Sequence, residues 1–392
     1  MRPESRVSDG GSSRFTFGVL ALVAFAAIFD TALTSPILSI YAKELGASTA
    51  AAGFIVGLYS IVAIPASVVA GLLVDRLGRK RMLALGLLLD SIAIFSYGLV
   101  SSYQQLMLLR ALHAVGGSLA FPAFVAKARE VSGPRVGLNL GFLLAPISLA
   151  YAVGSGAGGA IARSYGYAAA FALPALVLFL AFLLTLRLPE RGQESRWQGF
   201  RGLLQNIRDG GPNLLAGIWL IFTLYLAIGM LAGGLGTSLL TGKVVEEERE
   251  ARFFAGISLA IATLLSAPLM IAIGYLSDRT RPVTAAALSA LISLVGLLVV
   301  VTLLGISAST VLLAMVVFSF ALGGLIVTST VLVTEVPPSA RGTAAGLQQV
   351  FNIAGVAVGA PLGGLLASSG PSIVMLGVAS ALLLSLLVLL KR

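Results

Sequence analysis

The sequence predicts an all-α membrane protein with twelve transmembrane helices, arranged as two six-helix bundles related by a parallel repeat. Three observations lead to this prediction: the composition, the lengths of the uncharged segments, and one long polar linker near the middle of the chain. Of the 392 residues, 58% are hydrophobic and only 11% are charged, whereas about 25% are charged in a typical soluble domain. The mean hydropathy is +1.00. Lipid must therefore surround most of this chain.

The uncharged runs are long enough to cross a bilayer, which takes about 20 residues in a helix. Turn-forming polar sequences divide the longest runs at 101–105, 305–309 and 368–371. The alternating segments of about ten residues that are typical of barrel strands do not occur. The predicted helices are 15–41, 48–74, 82–100, 103–127, 137–162, 166–187, 213–240, 253–276, 283–304, 310–333, 343–367 and 372–390.

The polar linker and the distribution of positive charge predict the domain organisation. We expect a tail at 1–14, a first bundle at 15–187, a cytoplasmic linker at 188–212, a second bundle at 213–390 and a tail at 391–392. With the N-terminus inside, 20 of the 26 Lys and Arg residues fall on the inner side, five on the outer side and one within a span. Positive residues favour cytoplasmic loops. Both termini of this multi-pass protein of the cell membrane are therefore predicted to be cytoplasmic.

The composition also excludes several classes of function. The net charge of +10 follows the topology and does not form a basic face on a soluble module, so no nucleic-acid partner is expected. The chain has no cysteine and one histidine, which excludes a disulfide scaffold and thiolate or multi-histidine metal centres. Motifs for hydrolysis or nucleotide binding are not found. We therefore expect no enzyme activity, no cofactor and no metal.

An internal repeat relates the two predicted bundles. Gly71-x-x-x-Asp75-Arg76 closes the second helix, and Gly274-x-x-x-Asp278-Arg279 closes the eighth, at an offset of 203. A set of glycines recurs at an offset of 205, and Ala150 takes the place of one of them: Gly141, Ala150, Gly154, Gly158 and Gly159 correspond to Gly346, Gly355, Gly359, Gly363 and Gly364. Such parallel repeats, related by an axis along the membrane normal, are common in transporters.

The segment between the second and third helices carries the most specific motif. It reads Gly71-Leu-Leu-Val-Asp75-Arg76-Leu-Gly78-Arg79-Lys80-Arg81 and matches every defined position of the pattern G-x-x-x-D-R-x-G-R-K/R. In this it resembles the major facilitator superfamily, and within it the twelve-span drug:proton antiporters. The resemblance implies the major facilitator fold and a cytoplasmic gating contact, with a degraded second copy at Gly274, Asp278 and Arg279. The alternative interpretation is a tight turn that only sets the topology.

The glycines of the fifth helix resemble the antiporter motif of the same family, G-x8-G-x3-G-P-x2-G-G. Here Ala150 replaces one glycine and Ser155 replaces the proline. In the eleventh helix, Pro361 is displaced by one position. The resemblance implies a moving hinge for export. Ordinary packing of small residues between helices explains the same glycines equally well.

Apart from Lys127 and Arg187 at the inner ends of two spans, only four acidic, basic or histidine residues fall within the predicted spans, and they are the candidates for proton and substrate coupling: Asp30, Asp90, Arg110 and His113. Each costs at least ~2.5–3.5 kcal/mol on insertion scales, which indicates a functional reason for its presence. Arg110 and His113 are three residues apart, on one face of the fourth helix, and resemble the family pattern R-x-x-Q-G with His in place of Gln. The resemblance implies that Asp30 lines a central cavity and exchanges a proton for substrate, and that Arg110 belongs to the coupling network.

Each of these residues also has a purely structural interpretation. Asp30 would then be fixed by a polar neighbour or a helix dipole, Arg110 would form an ion pair with Asp30 or Asp90, and His113 would only donate a hydrogen bond. Asp90 lies about 12 Å along the third helix, which is often peripheral in this fold. Coupling by charge must lie in the first bundle, because the spans of the second contain no ionisable residue.

The second bundle offers polar but uncharged side chains as candidates for a cavity lining: Tyr225, Gln348, Gln349 and Asn352. Our hypothesis is a secondary active transporter, a proton-coupled exporter of small amphipathic or drug-like compounds that works by alternating access. A facilitative or proton-coupled uptake carrier for a small metabolite, and a lipid flippase with the same fold, are the alternatives. The expected partners are a small molecule, protons and the bilayer, with the protein acting as a monomer.

Overall fold

The computed structural model describes residues 9–190 and 211–390, and within these ranges every regular element is a helix. Segment Val136–Thr185 is interrupted at Gly166, whose φ of 84° lies outside the helical region, so it comprises α5 (136–165) and α6 (167–185). The other helices are α1 (Asp9–Glu44), α2 (Thr49–Leu77), α3 (Arg79–Tyr97), α4 (Tyr103–Val131), α7 (Gly211–Thr241), α8 (Glu248–Arg279), α9 (Pro282–Val299), α10 (Ala308–Val333), α11 (Arg341–Ala367) and α12 (Pro371–Leu389).

The twelve predicted spans correspond to these twelve helices of the described ranges. Ten helical segments are long and apolar enough to cross a membrane, and one of them contains both α5 and α6. Helix α3 is not among the ten because Arg79, Lys80, Arg81 and Asp90 lie within its 19 residues. Helix α1 begins at Asp9, before the predicted start at residue 15. The predicted tails at 1–8 and 391–392, and the linker from 191 to 210, lie outside the described residues.

The two bundles use the same helix pairs. In the first, α1 packs on α5, and α4 packs on α2 and α3; in the second, α7 packs on α11, and α10 packs on α8 and α9. Two further pairs, α5 with α8 and α2 with α11, join the bundles to each other. The contacts therefore follow the repeat that the Asp-Arg motifs and the glycines predicted.

Most of the repeated glycines lie where two helices approach closely. Between α1 and α5, a methyl group at Gly154 would lie 2.8 Å from Ala32 Cβ; between α7 and α11, one at Gly355 would lie 2.6 Å from the Phe222 carbonyl oxygen. Gly158 and Gly363 fill matching positions against Leu33 and Met230. Backbone contact of this kind requires small residues.

The remaining glycines of this set fall into two groups. Gly141 packs on α8 at Met270 and Gly346 packs on α2 at Ser67, so both lie between the bundles. A methyl group at Gly159 would have no atom within 4 Å, and one at Gly364 would have only the Gly233 carbonyl oxygen, at 3.8 Å. A packing requirement therefore explains neither Gly159 nor Gly364.

Candidate functional site

The four ionisable residues of the spans meet in one buried cluster of the first bundle. Asp30 comes from α1, Asp90 from α3, and Arg110 and His113 from α4. Each side chain is at most 3% exposed. One carboxylate oxygen of each acid and one ring nitrogen of His113 lie within 4.8 Å of one another. Three separate helices thus place their ionisable groups at one point.

His113 is at the centre of the cluster. Its Nε2 lies 3.0 Å from Asp30 Oδ2, and its Nδ1 lies 3.2 Å from Arg110 Nη1. A guanidinium group has only donors, so Nδ1 is the acceptor and the proton of the neutral ring is on Nε2. His113 therefore donates to Asp30 and accepts from Arg110. The prediction that Arg110 pairs directly with an acid is corrected by this geometry, because the histidine ring occupies the space between Arg110 and Asp30.

Two tyrosines complete the surroundings of His113. The Tyr97 hydroxyl lies 3.0 Å from His113 Nδ1, and the Tyr97 carbonyl oxygen accepts a bond of 2.9 Å from the Tyr41 hydroxyl. The Arg110 guanidinium lies over the Tyr59 ring, 4.8 Å from its centroid, and that ring meets the His113 imidazole edge-on. Such a cation–π contact stabilises a buried arginine. Sequence reasoning did not identify either tyrosine as part of the site.

The pattern of the sequence contains a signal for only one of these tyrosines. Tyr97 follows Asp90 by seven residues, which places both on one face of α3. Asp90 itself is central and not peripheral, since it packs against Gly116 and Gly117 of α4. Tyr59 has no comparable signal, because α2 is apolar on all sides.

The cluster has the residue types of a metal site but not the arrangement. Asp30, Asp90 and His113 could offer three ligand atoms, yet each ring nitrogen of His113 already has a hydrogen-bond partner. The positive Arg110 guanidinium beside the ring would also repel a cation. The residues present favour the binding of a proton over the binding of a metal ion.

A second functional region joins the bundles where α2 ends and α11 begins. Asp75 accepts hydrogen bonds from the backbone N–H groups of Gly342 and Thr343, at 2.8 and 2.7 Å, and from the Thr343 hydroxyl at 2.7 Å. The first turn of α11 presents unpaired N–H groups and a positive partial charge, both of which favour a carboxylate. We call this set of bonds the Asp75 contact.

The repeat supplies a second, smaller version of this contact. Asp278, at the end of α8, accepts from the backbone N–H groups of Gly137 and Leu138 in the first turn of α5, at 2.7 and 2.9 Å. We call this the Asp278 contact. It is solvent-exposed, whereas Asp75 is buried.

The rest of the loop motif lies around the Asp75 contact. Gly78, with φ of 102°, makes the turn from α2 into α3, a conformation that side chains other than glycine rarely adopt. Arg79 is buried and donates to Glu130 at 2.7 Å and, across the bundle interface, to the Pro338 carbonyl oxygen at 2.6 Å. Arg76 is exposed and Lys80 is partly exposed. In the second copy, the Arg279 guanidinium lies 4.6 Å from the centroid of the Tyr275 ring.

The polar candidates of the second bundle are not gathered in one cavity. Gln348 is buried and donates to Thr330 of α10 at 2.9 Å, so its amide is bonded within the second bundle. Gln349 instead donates across the bundle interface to the Gly117 carbonyl oxygen at 3.3 Å. Tyr225 and Asn352 are hydrogen-bonded to each other. Gln349 thus contacts α4 beside the ionisable cluster, since Gly117 also adjoins the Asp90 carboxylate.

Solved structures of known proteins share this architecture. FucP in the outward conformation aligns with a TM-score of 0.76 at 14% identity, covering 97% of this chain and 99% of that chain. A second structure, of the E. coli fucose:proton symporter FucP, aligns with a TM-score of 0.77 at 14% identity and the same coverage. At this level of identity the similarity concerns the fold alone.

Similarity to curated proteins and to a protein family adds to the structural match. Multidrug resistance protein 1 of Bacillus subtilis (strain 168) is 33% identical over 190 residues, 46% of this chain and 47% of that protein. Quinolone resistance protein NorA of Staphylococcus aureus (strain MRSA252) is 28% identical over 222 residues, 55% of each chain. These matches span about half the length of each relative. The sequence model of the Major Facilitator Superfamily matches residues 20–352, most of the chain, and the chain belongs to that superfamily.

Proposed function

We propose that this protein is a secondary active transporter that exports small amphipathic compounds from the cell in exchange for protons, by alternating access. Its similarity to a multidrug resistance protein and to a quinolone resistance protein supports this choice of substrate class. The two bundles would rock around the interface formed by α2 with α11 and α5 with α8. No catalytic activity is part of the proposal.

The observation that carries the coupling is the charge balance of the buried cluster. Two carboxylates contribute −2 and Arg110 contributes +1, so with a neutral His113 the cluster has a net charge of −1. A net charge in the low dielectric of a membrane protein is costly. One bound proton makes the cluster neutral, and the loss of that proton restores the charge. We infer that Asp30, Asp90, Arg110 and His113 together hold the coupling proton.

The chemistry of the interior supports a neutral or cationic amphipathic substrate. The spans of the second bundle provide hydroxyl and amide groups without an ionisable side chain, and the deprotonated cluster of the first bundle is negative. An anionic substrate would be repelled by that charge, whereas a cationic or apolar one would not.

The Asp75 and Asp278 contacts would act as the gate at one face of the membrane. Both fix a helix end of one bundle to a helix start of the other, so both must break when the bundles separate on that side. The excess of Lys and Arg predicts that this face is cytoplasmic, with both termini on the same side in the cell membrane. Because one chain supplies both bundles, a monomer is sufficient.

The experiment is efflux from proteoliposomes that contain the purified protein, with quinolones and amphipathic dye cations as substrates, with and without an imposed pH gradient. The wild type is expected to move these compounds against their gradient only when protons flow the other way. Asp30→Asn is expected to slow proton-driven efflux by about tenfold or more. A tenfold change corresponds to about 1.4 kcal/mol. Glu246→Gln, an exposed carboxyl between α7 and α8, is the matched control and should retain it.

The same assay decides against the alternatives. Counterflow of a metabolite that is unaffected by the pH gradient would identify a facilitative carrier and contradict proton coupling. Movement of labelled lipid between leaflets, without movement of the drug panel, would identify a flippase. Driven efflux that survives in Asp30→Asn would remove Asp30 from the coupling.

A further inference from the structure

We propose that Arg110 is a two-position switch: it donates to Nδ1 of neutral His113, and it moves to Asp90 when His113 binds a second proton. The proposal rests on the proposed function, because the second proton is the coupling proton. It assigns to His113 the atom at which the proton binds, and to Asp90 the role of a positioning residue.

The proton and Arg110 compete for one atom. Arg110 Nη1 lies 3.2 Å from His113 Nδ1, and Nδ1 can accept from a guanidinium only while it carries no proton. Since arginine is not deprotonated in proteins, protonation of Nδ1 must break this contact. The Tyr97 hydroxyl, at 3.0 Å from the same atom, can remain, because a hydroxyl group can either donate or accept.

The cluster contains a vacant acceptor and a vacant donor. Among the described residues, Asp90 Oδ1 is buried without a hydrogen-bond partner, and so is Arg110 Nε. Unpaired buried polar atoms are costly, and native proteins rarely retain them without a reason. An acid and a guanidinium that are each incompletely bonded in the same small space indicate an arrangement in which they bind each other.

Asp30 is the less favourable destination, because it already accepts two hydrogen bonds and the His113 ring lies between it and Arg110. Its Oδ2 accepts from His113 Nε2, and its Oδ1 accepts from the Thr31 backbone N–H. Asp90 Oδ1 accepts none, so the Asp90 carboxylate gains more from a bond with Arg110. The bond from Nε2 to Asp30 needs no rearrangement when Nδ1 is protonated, since Nε2 carries a proton in both states.

Small residues of α4 let the Asp90 carboxylate approach that helix closely. A side chain at Gly116 would collide with the Asp90 carboxylate, and Gly117 lies beside the Tyr59 hydroxyl. The Arg110 guanidinium lies 4.8 Å from the centroid of the Tyr59 ring, which adjoins the same cluster. The titratable and charged groups around His113 are Asp30 from α1, Tyr59 from α2, Asp90 and Tyr97 from α3, and Arg110 from α4, with Tyr151 of α5 near Asp30.

The switch changes the connection between helices. With neutral His113, Arg110 is bonded to His113 of its own helix α4 and to the Tyr97 hydroxyl of α3, and α4 is joined to α1 through the bond from His113 to Asp30. With protonated His113, Arg110 would bind the Asp90 carboxylate of α3. Binding one proton would thus replace a bond within α4 by an ion pair between α4 and α3, which is a means of linking protonation to helix movement.

The single histidine of the chain permits a direct test by solid-state NMR of protein in liposomes. With ¹⁵N in the histidine ring and ¹³C at the arginine guanidinium carbons, a dipolar contact from histidine to arginine can report only on His113. At alkaline pH we expect one protonated ring nitrogen, Nε2, and a contact from Nδ1 to an arginine carbon. In acid, where both ring nitrogens are protonated, we expect this contact to be lost.

Asp90→Asn is the decisive variant, with thermal unfolding and gel filtration as the checks that it is folded. In the switch, the Asp90 carboxylate balances the charge of Arg110 once Nδ1 is protonated. Asparagine carries no charge, so Nδ1 should bind its proton only at lower pH, and the contact with a singly protonated His113 should persist at the acid pH at which the wild type has lost it. The proposal is overturned if the contact persists in wild type with both nitrogens protonated. It is equally overturned if His113 never gains a second proton before the protein unfolds, or if Asp90→Asn loses the contact at the same pH as wild type.

These measurements need neither substrate nor gradient, so they can fail independently of the transport assay. His113→Gln connects the two, because glutamine can accept from Arg110 and donate to Asp30 but cannot bind the proton. We expect this variant to bind substrate and to exchange it across the membrane, while losing the acceleration by a pH gradient. Gradient-driven efflux at the wild-type rate would contradict the assignment of the proton to His113.

Discussion

The two bundles share a backbone framework and differ in the chemistry at its centre. Gly158 packs on Leu33 in the first bundle as Gly363 packs on Met230 in the second. Counting three residues back along α1 and α7 pairs Asp30 with Ala227, and both are buried. The same framework therefore holds an acid in one half and a methyl group in the other.

The third and ninth helices differ in the same way. The offset of 203 between the Asp-Arg motifs pairs Asp90 with Ser293. Ser293 is fully bonded, since it donates to the Val317 carbonyl oxygen and accepts from the Ala321 N–H, both at 2.8 Å. Helix α10, the counterpart of α4, contains no ionisable residue. Because the second bundle packs without charges, the charges of the first are not needed for the fold, which favours a functional role.

The two contacts between the bundles show a milder version of this asymmetry. Asp75 is buried and accepts three hydrogen bonds, one of them from the Thr343 hydroxyl, whereas Asp278 is exposed and accepts two from backbone groups. Hydrogen bonds to a charged group contribute about 1.5–3 kcal/mol each, and exposure to water reduces that value. The Asp75 contact should therefore hold the bundles together more strongly.

The largest expected change is in the free energy of unfolding, at glycines that occupy equivalent positions in the two bundles. Gly158→Ala and Gly363→Ala each insert a methyl group against a backbone carbonyl, of Leu33 and Met230 respectively. Overpacking of this kind costs about 1–3 kcal/mol, and the two variants should lose similar amounts. The measurement is the free energy of unfolding in mixed micelles.

The neighbouring glycines provide the controls for this prediction. Gly159→Ala and Gly364→Ala place a methyl group where space is open, so their free energies of unfolding should change by less than about 0.5 kcal/mol. A cost at Gly158 without one at Gly363 would contradict the shared framework.

A smaller change is expected in the separation of the bundles, where the Asp75 contact and the Asp278 contact differ in strength. The chain has no native cysteine, so Val74→Cys, buried in α2 with its side chain against Gly342 of α11, can report separation of the bundles through its reaction with a water-soluble maleimide. Asp75→Asn in this background should raise the labelling rate by about tenfold, which corresponds to ~1.4 kcal/mol. Asp278→Asn should raise it by less than about threefold.

The reverse order of these two variants would contradict the ranking of the contacts. Equal effects would show that solvent exposure and the extra bond from Thr343 are unimportant for closing this face.

The sequence predicted the helices and their repeat well, but it predicted poorly the direction in which each side chain points. Span lengths, the Asp-Arg motifs and the spaced glycines depend on local rules, and they predicted the helices and the repeat that relates the two bundles. Asp75 was predicted to belong to a cytoplasmic gating contact, and the structure shows its carboxylate bonded to the first turn of α11. The four ionisable residues of the spans were found because charge is rare in lipid.

What could not be predicted depends on which way an apolar helix faces. Helices such as α2 are apolar on all sides, so the sequence contains no stripe that separates buried from lipid-facing positions. For this reason Tyr59 was missed, and the bond from Gln348 to Thr330 of α10 was not foreseen. The ring of His113 between Arg110 and Asp30 is likewise a matter of tertiary packing, since spacing along α4 gives only the shared face.

The central claim is that the first bundle alone holds the coupling proton, and proton release on substrate binding tests it most directly. Purified protein in a weakly buffered solution is mixed with a cationic substrate, and a pH indicator reports the protons released. The account predicts release of about one proton per chain, the number that balances the cluster. Release should be absent in Asp30→Asn and unchanged in Ser293→Ala, which alters the counterpart of Asp90 in the second bundle. Equal release from wild type and Asp30→Asn, or none from wild type, would contradict the account.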